Sequence, residues 1–293
     1  MTKPVFRFAP SPNGLLHLGH AFSALTNLRL ARAADATLLL RIEDIDIARC
    51  TPENEAMMLE DLEWIGFEWD AEPRRQSQHF DDYRAALDEL ETAGLVYPAA
   101  MSRAEIRRAV EEISAQGKSW PTDPDGAPLY PGTERDLDED ARAAIIDRGG
   151  DYALRLDSRA TLAWLKEPPR WREEGAGPDG ETGWIDADLA QWGDVVLARK
   201  DVPASYHLAC VIDDALQGIT NVVRGRDLFF STAVHRVLQE IFGLPALTYF
   251  HHDLILDETG RKLSKSLKST ALRHLRQAGM TPADIRRMIG LET

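Results

Sequence analysis

The stretch from Val5 to Asp44 constrains the fold more than any other part of the chain. "VFRF" (5–8) is short and apolar, as a strand buried on both faces is. It runs into "APSPNGLLHLGHA" (9–21), where prolines and glycines mark a loop. In 21–34, Leu25, Leu28 and Ala31 then recur at helical spacing. "TLLLRIED" (37–44) follows as a near-continuous apolar strand, the pattern of a parallel sheet covered on both sides. Strand, loop, helix and strand in this order predict a βαβ unit, whose loops at the carboxyl edge of the sheet are where ligands bind.

The following segments extend that plan. Thr51 is placed to cap a helix and Pro52 suits its first turn, while Met58, Leu62 and Ile65 form an apolar stripe stopped by Gly66. A further helix is expected over 79–93, ending at Gly94. From Tyr97 to about Pro178 the texture changes. "WPTDPDGAPLYPGTERDLDEDA" (120–141) and "KEPPRWREEGAGPDGETG" (166–183) are rich in Pro, Gly and charge, and predict an insertion rather than a continuation of the sheet. α/β order returns with a strand in "GDVVLARK" (193–200), a helix in "YHLACVIDDALQG" (206–218) and a strand in "ITNVVRG" (219–225). A helix in "STAVHRVLQEIFG" (231–243) and the segment "LTYFHHDLIL" (247–256) complete it. The expected division is an α/β, Rossmann-like parallel-sheet domain in two halves, 1–96 and 187–256. An inserted α+β subdomain takes 97–186, and a short helical C-terminal segment takes 257–293.

Composition narrows the function classes. The 44% hydrophobic and 28% charged residues suit a globular chain, and no apolar run approaches the ~20 residues of a membrane span. The N-terminus has no secretory apolar region, so a cytoplasmic monomer without membrane contact is expected. Cys50 and Cys210 form no CxxC pair, and two free thiols are expected. The net charge of −14 argues against a general nucleic-acid binder, but the charge is uneven: 43–91 carry 16 acids against 4 Arg, and 261–287 carry 8 Lys/Arg against Asp284. That basic strip is either a solvated face or a surface for phosphates.

Two stretches carry chemistry. In a βαβ opening, the 9–20 loop lies over the N-terminus of the next helix, where backbone N–H groups and the helix dipole attract anions. Gly14 and Gly19 allow close approach, and His17 and His20, three apart, share one face of a first turn. Two imidazoles there suit a phosphate whose charge grows during displacement, though on their own they also fit a solvent-facing turn. "RKLSKS" (261–266) offers three cations and two hydroxyls after the turn "DETG", apt for a triphosphate; by itself it equally fits a solvated loop.

Together, "HLGH" and "KLSKS" resemble the paired signatures of class I aminoacyl-tRNA synthetases, usually written HIGH and KMSKS, with Leu18 and Leu263 as mild apolar replacements. The longer matches "RFAPSPNGLLHLGHA", "LLRIEDID", "YHLACVIDDALQGITNVVRG" and "RKLSKS" resemble the glutamyl-tRNA synthetase branch. The resemblance implies a class I synthetase catalytic domain that activates glutamate with ATP and Mg2+. It implies glutamate contacts at Arg7, Ala9, Ser11, Glu43, Tyr206 and Arg224, and ATP contacts at Pro10, His17, Gly19, His20, Lys262, Ser264 and Lys265. The catalytic set it implies is His17, His20, Lys262 and Lys265. Two arginines and one carboxylate match glutamate charge for charge, and glutamine would leave one arginine uncompensated.

The chain departs from that branch in two places. It ends 27 residues after Ser266, where full glutamyl-tRNA synthetases continue into a helical anticodon-binding region. In this it is similar to the truncated glutamyl-queuosine tRNA(Asp) synthetases, which implies glutamate transfer to the queuosine base of the tRNA(Asp) anticodon. The basic C-terminal strip is then expected beside the site, where that loop docks. An acceptor stem and a non-tRNA acceptor are the alternatives, and a non-catalytic RNA-binding role is a third. That group often binds zinc in the insertion, but Ala99, Met101 and Glu134 occupy the usual cysteine positions beside Tyr130, so no zinc is expected.

Overall fold

A computed structural model describes residues 3–148, 150–200, 202–255 and 271–291. Its first half runs β1 (Val5–Phe8), α1 (Leu18–Ala33), β2 (Thr37–Ile42), α2 (Pro52–Trp64), β3 (Arg74–Arg75) and α3 (Phe80–Thr92). Next come β4 (Val96–Ala99), α4 (Arg103–Ala115), α5 (Glu139–Asp147), β5 (Ala153–Leu156), α6 (Ser158–Leu165), β6 (Arg170–Glu173) and β7 (Gly183–Asp186). The chain closes with β8 (Val196–Arg199), α7 (Tyr206–Leu216), β9 (Asn221–Gly225), α8 (Ser231–Ile241), β10 (Thr248–His252), α9 (Leu272–Gln277) and α10 (Pro282–Met288).

The main sheet has the order β3-β2-β1-β9-β10-β6-β7, parallel throughout except for the β6–β7 hairpin. Strand order reverses between β1 and β9, which pair through Phe6↔Asn221 and Arg7↔Val222. Such a switch point opens a crevice at the carboxyl ends of the two strands. Apolar side chains alternate across the sheet. Leu38, Leu40 and Ile42 of β2 pack with residues of α1, α2, α9 and α10, while Val222 and Tyr249 pack with residues of α3, α7 and α8. Thr51 caps α2 as its position implied, accepting from the Asn54 N–H with Pro52 in the first turn. The stripe Met58, Leu62 and Ile65 is buried, and Gly66 leaves the helix at φ +75°.

Three strands differ from the sequence expectation. β8 lies in "GDVVLARK", read as a return to the main sheet; it instead joins β4 and β5 in a separate antiparallel sheet of order β4-β5-β8. β6 and β7, read as part of the insertion, add to the edge of the main sheet beside β10. Short apolar runs announce a buried strand without naming its sheet. What assigns β6 lies elsewhere in the chain: Trp171 is buried among residues of the α7–α8 core, and Glu173 binds His251 of β10. The C-terminal segment also differs from a free basic strip. Arg273 and Arg276 of α9 both pair with Glu60 of α2, and Arg286 donates to the Ile65 carbonyl. Among the described residues, no helix is long and apolar enough to cross a membrane.

Candidate functional site

At the switch point lies a cavity of about 300 Å³. Its wall takes Arg7 from β1, Ala9, Pro10 and Ser11 from the loop after it, and His17, Gly19 and His20 from the start of α1. Glu43 follows β2, Tyr206 opens α7, and Arg224 stands near the end of β9. All ten described residues that the sequence singled out therefore meet on one wall. Lys262, Ser264 and Lys265 lie outside the described residues. The described residues on either side of that stretch are both near the cavity: Ile255 lines it, and Ala271 bridges to His17.

One flank of the cavity is built from alternating charges. Arg7 donates through Nε to Asp214 Oδ1 at 3.2 Å. Arg41 donates to the same oxygen at 2.5 Å and, through Nη2, to Glu43 Oε1 at 3.1 Å. Burial alone would raise the Asp214 pKa, but Arg7 and Arg41 outweigh it and hold the carboxyl below its usual range. Burial pushes the Glu43 carboxyl up, against the pull of Arg41 and Arg7. The neighbouring Asp213 accepts from Arg74 Nε at 2.7 Å, Gln76 Nε2 at 2.8 Å and the Tyr83 hydroxyl at 2.9 Å. Two consecutive carboxylates on α7 thus tie that helix to β1, β2, β3 and α3.

Another part of the wall holds a cation without a carboxylate partner among the described residues. Arginine has five N–H donors, and Arg224 uses them on His251 Nε2, the Tyr206 hydroxyl, His235 Nδ1, the Leu228 carbonyl and Thr232 Oγ1, all at 2.8–3.3 Å. Among the described residues it forms no ion pair. Because an arginine only donates, the tautomers follow. His251 accepts at Nε2 and so gives its Nδ1 proton to Glu173 at 2.6 Å; His235 accepts at Nδ1 and turns its Nε2–H to His207 Nδ1 at 3.2 Å. Burial first, and Arg224 second, push His207 down to about 4 and His235 well below its usual value. Burial likewise lowers His251, overriding the Glu173 hydrogen bond. These rings are neutral near pH 7 and bring Arg224 no charge.

The third part of the wall surrounds the start of α1. His17 is the N-cap rather than a first-turn residue: its Nδ1 accepts the Gly19 N–H, while His20 Nδ1 reaches back to the His17 N–H, each at 3.1 Å. The two rings lie with centroids 3.9 Å apart. Both accept at Nδ1, so each neutral ring carries its proton on Nε2, a donor suited to phosphate oxygens. A Cβ on Gly19 would stand 3.0 Å from His17 Cε1, so the glycine keeps room for the capping ring.

Ser11, Glu43 and Tyr206 also line a second cavity of about 730 Å³ between the main sheet and the insertion. Arg103 and Arg107 of α4, Arg155 of β5, Tyr130 and Trp192 contribute to it. Beneath it lie the positions implied for zinc. Ala99 and Met101 offer no ligand atom of the usual kind. Glu134 is already engaged, accepting from the Ala100 N–H at 3.1 Å, Thr133 Oγ1 at 2.7 Å and the Tyr130 hydroxyl at 2.5 Å. Burial and Glu134 push the Tyr130 phenol up, away from the ionised form a metal would need. These residues do not fit zinc; a carboxylate fastens the loop instead.

Sequence reasoning missed Arg41, Asp213, Asp214, His235 and His251. The available signal was charge inside apolar segments, in "TLLLRIED" and "CVIDDAL", which has to be paired when buried.

Residues 4–292 match the model of the family described as tRNA synthetases class I (E and Q), catalytic domain. The chain is 44% identical to a glutamyl-Q tRNA(Asp) synthetase of Rhodobacter capsulatus, covering 98% of this chain and all of that one. It is 38% identical to a glutamate–tRNA ligase of Prochlorococcus marinus, covering 94% of this chain but only 55% of the ligase. Among solved structures it is similar to a glutamate tRNA ligase of Elizabethkingia meningosepticum in complex with its amino acid. The TM-score is 0.77 at 27% identity, over 99% of this chain and 61% of that one. The chain thus spans the whole of one relative and little more than half of the others. With the family model matched along nearly its full length and the crevice in place, the chain belongs to the class I glutamyl and glutaminyl tRNA synthetase catalytic-domain family.

Proposed function

We propose that the chain activates L-glutamate with ATP and passes the glutamyl group to queuosine in the anticodon of tRNA(Asp). The observation that carries this is the composition of one cavity wall: two buried arginines and a carboxylate at one end, two Nε2–H imidazoles over a helix N-terminus at the other. Glutamate lies between Arg7, Glu43, Tyr206 and Arg224, with Ala9 and Ser11 beside it. ATP lies over Pro10, Gly19 and the paired histidines. An α-carboxylate oxygen attacks the α-phosphorus, the bond to the bridging oxygen breaks, and pyrophosphate leaves with the electron pair. His17 and His20 stabilise the charge on the phosphates, and Lys262 and Lys265 receive the leaving pyrophosphate. Mg2+, which the family typically uses, would come bound to the triphosphate and would screen its charge. A hydroxyl of the queuosine cyclopentenediol then attacks the adenylate carbonyl from the larger cavity, AMP departs, and the hydroxyl proton passes to water.

Glutamate-dependent ATP–pyrophosphate exchange without tRNA tests the first step, and tRNA(Asp) with and without queuosine, against tRNA(Glu), tests the second. Charging of tRNA(Glu) alone favours an acceptor-stem enzyme, the reading to which the matched glutamate–tRNA ligases lend weight. Exchange with no tRNA accepted points to another acceptor, and no exchange at all to a binding protein.

A further inference from the structure

Arg7 and Glu43 carry opposite charges on the wall of one small cavity. In a partly desolvated space such charges attract strongly. Paired with each other, they would answer neither the carboxylate nor the ammonium of an amino acid. They are not paired. Each is held from behind by a residue that lines neither cavity: Asp214 takes Arg7, Arg41 takes Glu43, and Arg41 and Asp214 hold one another. The order is Glu43–Arg41–Asp214–Arg7, with charge alternating along it.

The two inner members have little freedom. Arg41 is fully buried within β2, its Nε 3.9 Å from Asp213 Oδ2, and its Nη1 also donates to Gln217 Oε1. Asp214 follows Asp213 on α7, and Asp213 is fixed by Arg74, Gln76 and Tyr83. The four-residue order is neutral as a whole. Arg224 forms no ion pair among the described residues, so an acidic amino acid can bring it a counter-charge that a neutral one cannot.

We propose that Arg41 and Asp214 are positioning residues that keep Arg7 and Glu43 apart and substrate-ready, and so set selectivity for an acidic amino acid. This rests on the glutamate reading above. It goes beyond it by assigning selectivity to two residues that touch no substrate.

The test is ATP–pyrophosphate exchange by the full chain and by Arg41→Lys and Asp214→Asn. Arg41→Lys keeps the charge but loses the two-handed grip; Asp214→Asn keeps the shape but loses the charge. In each variant we expect the glutamate KM to rise at least tenfold, with the ATP KM and the rate at saturating glutamate within about twofold of the parent. The preference for glutamate over glutamine should fall by a similar factor. A glutamate KM within twofold of the parent in a cooperatively melting variant overturns the proposal, as does a parallel loss of rate and ATP affinity. Should Arg41→Lys fail to fold, the isosteric Asp214→Asn decides alone. Absence of glutamate-dependent exchange in the unaltered chain overturns the glutamate reading itself, an outcome distinct from either variant result.

Discussion

The two flanks of the small cavity hold an arginine each by opposite means. Arg7 is neutralised by a carboxylate and locked into an ionic run that reaches β2 and α7. Arg224 is held by five neutral acceptors and forms no ion pair among the described residues. The first arrangement stabilises position: removing one partner of a buried ion pair typically costs 3–5 kcal/mol. The second satisfies every donor of the guanidinium but gives it no counter-charge among the described residues, which on the proposed reading leaves its field to a bound anion. The proposed doubly anionic substrate would use both, one cation whose geometry is fixed in advance and one whose field is left open.

The largest effect should come from the open flank. Arg224→Met should lower kcat/KM for glutamate by about a thousandfold, on the order of 4 kcal/mol, with glutamine affected far less. Arg7→Met should lower it too, but with a loss of thermal stability that Arg224→Met does not match, since Asp214 is left with one arginine fewer. Exchange kinetics and melting curves on both variants check this. If Arg7→Met abolishes the glutamate preference while Arg224→Met preserves it, the assignment of roles is reversed.

Next in size is the acid response of fold stability. His207, with a folded pKa of about 4 against 6.5 unfolded, binds a proton more readily in the unfolded chain, so stability falls as pH drops from 6.5 to 4. One such ring gives up roughly 3 kcal/mol over that window. The charged flank answers at lower pH: Asp214 keeps its contribution above its unfolded pKa and loses it as pH falls through its depressed folded value. Denaturant titrations at pH 7, 6 and 5 should therefore show a decline that His207→Gln reduces. A flat stability from pH 7 to 5 would mean that the histidine flank is not held neutral.

Within both flanks, the residues facing the cavity and those behind them differed in how much the sequence disclosed. Arg7, Glu43, Tyr206 and Arg224 sit inside continuous stretches of motif, so their convergence on one crevice was legible before any coordinates. The residues that support them were not. Arg41 stands in an apolar strand and Asp213–Asp214 on an amphipathic helix, where a carboxylate reads as a solvated face until burial is known. His207, His235 and His251 come from three separate elements, and only the packing of α7, α8 and β10 brings them to Arg224. The same limit explains the misread strands. Composition identifies β8 as a strand and leaves β6 inside a Pro-, Gly- and charge-rich stretch, while the partners of both are set by contacts distant in the chain, such as Glu173 with His251.

A smaller effect separates the flanks by pH in activity rather than stability. On the proposed reading Glu43, raised by burial, receives the ammonium group and has to be ionised to do so. The glutamate KM should therefore rise as pH falls through that raised value, approaching about tenfold per pH unit below it, while the ATP KM stays level. A parallel rise in both constants would place the titrating group at the nucleotide end instead.

The smallest expected effect concerns Cys210, the sulfur packed inside the charged flank. Its Sγ stands 3.4 Å from Arg41 Nη2, 3.7 Å from Arg7 Nη2 and 3.6 Å from Asp214 Oδ2. Burial, and then Asp214, push its thiol up to about 12, so it stays protonated through the neutral range and adds no charge to the run. A thiol is a weak donor and a weak acceptor, so its share in fixing the arginines is small beside that of the carboxylate. Cys210→Ala should shift the glutamate KM by less than about threefold, under ~0.7 kcal/mol, while Asp214→Asn shifts it at least tenfold. Equal effects from the two substitutions would mean that close packing around α7, rather than alternating charge, holds Arg7 in place, and the contrast between the flanks would reduce to one of shape.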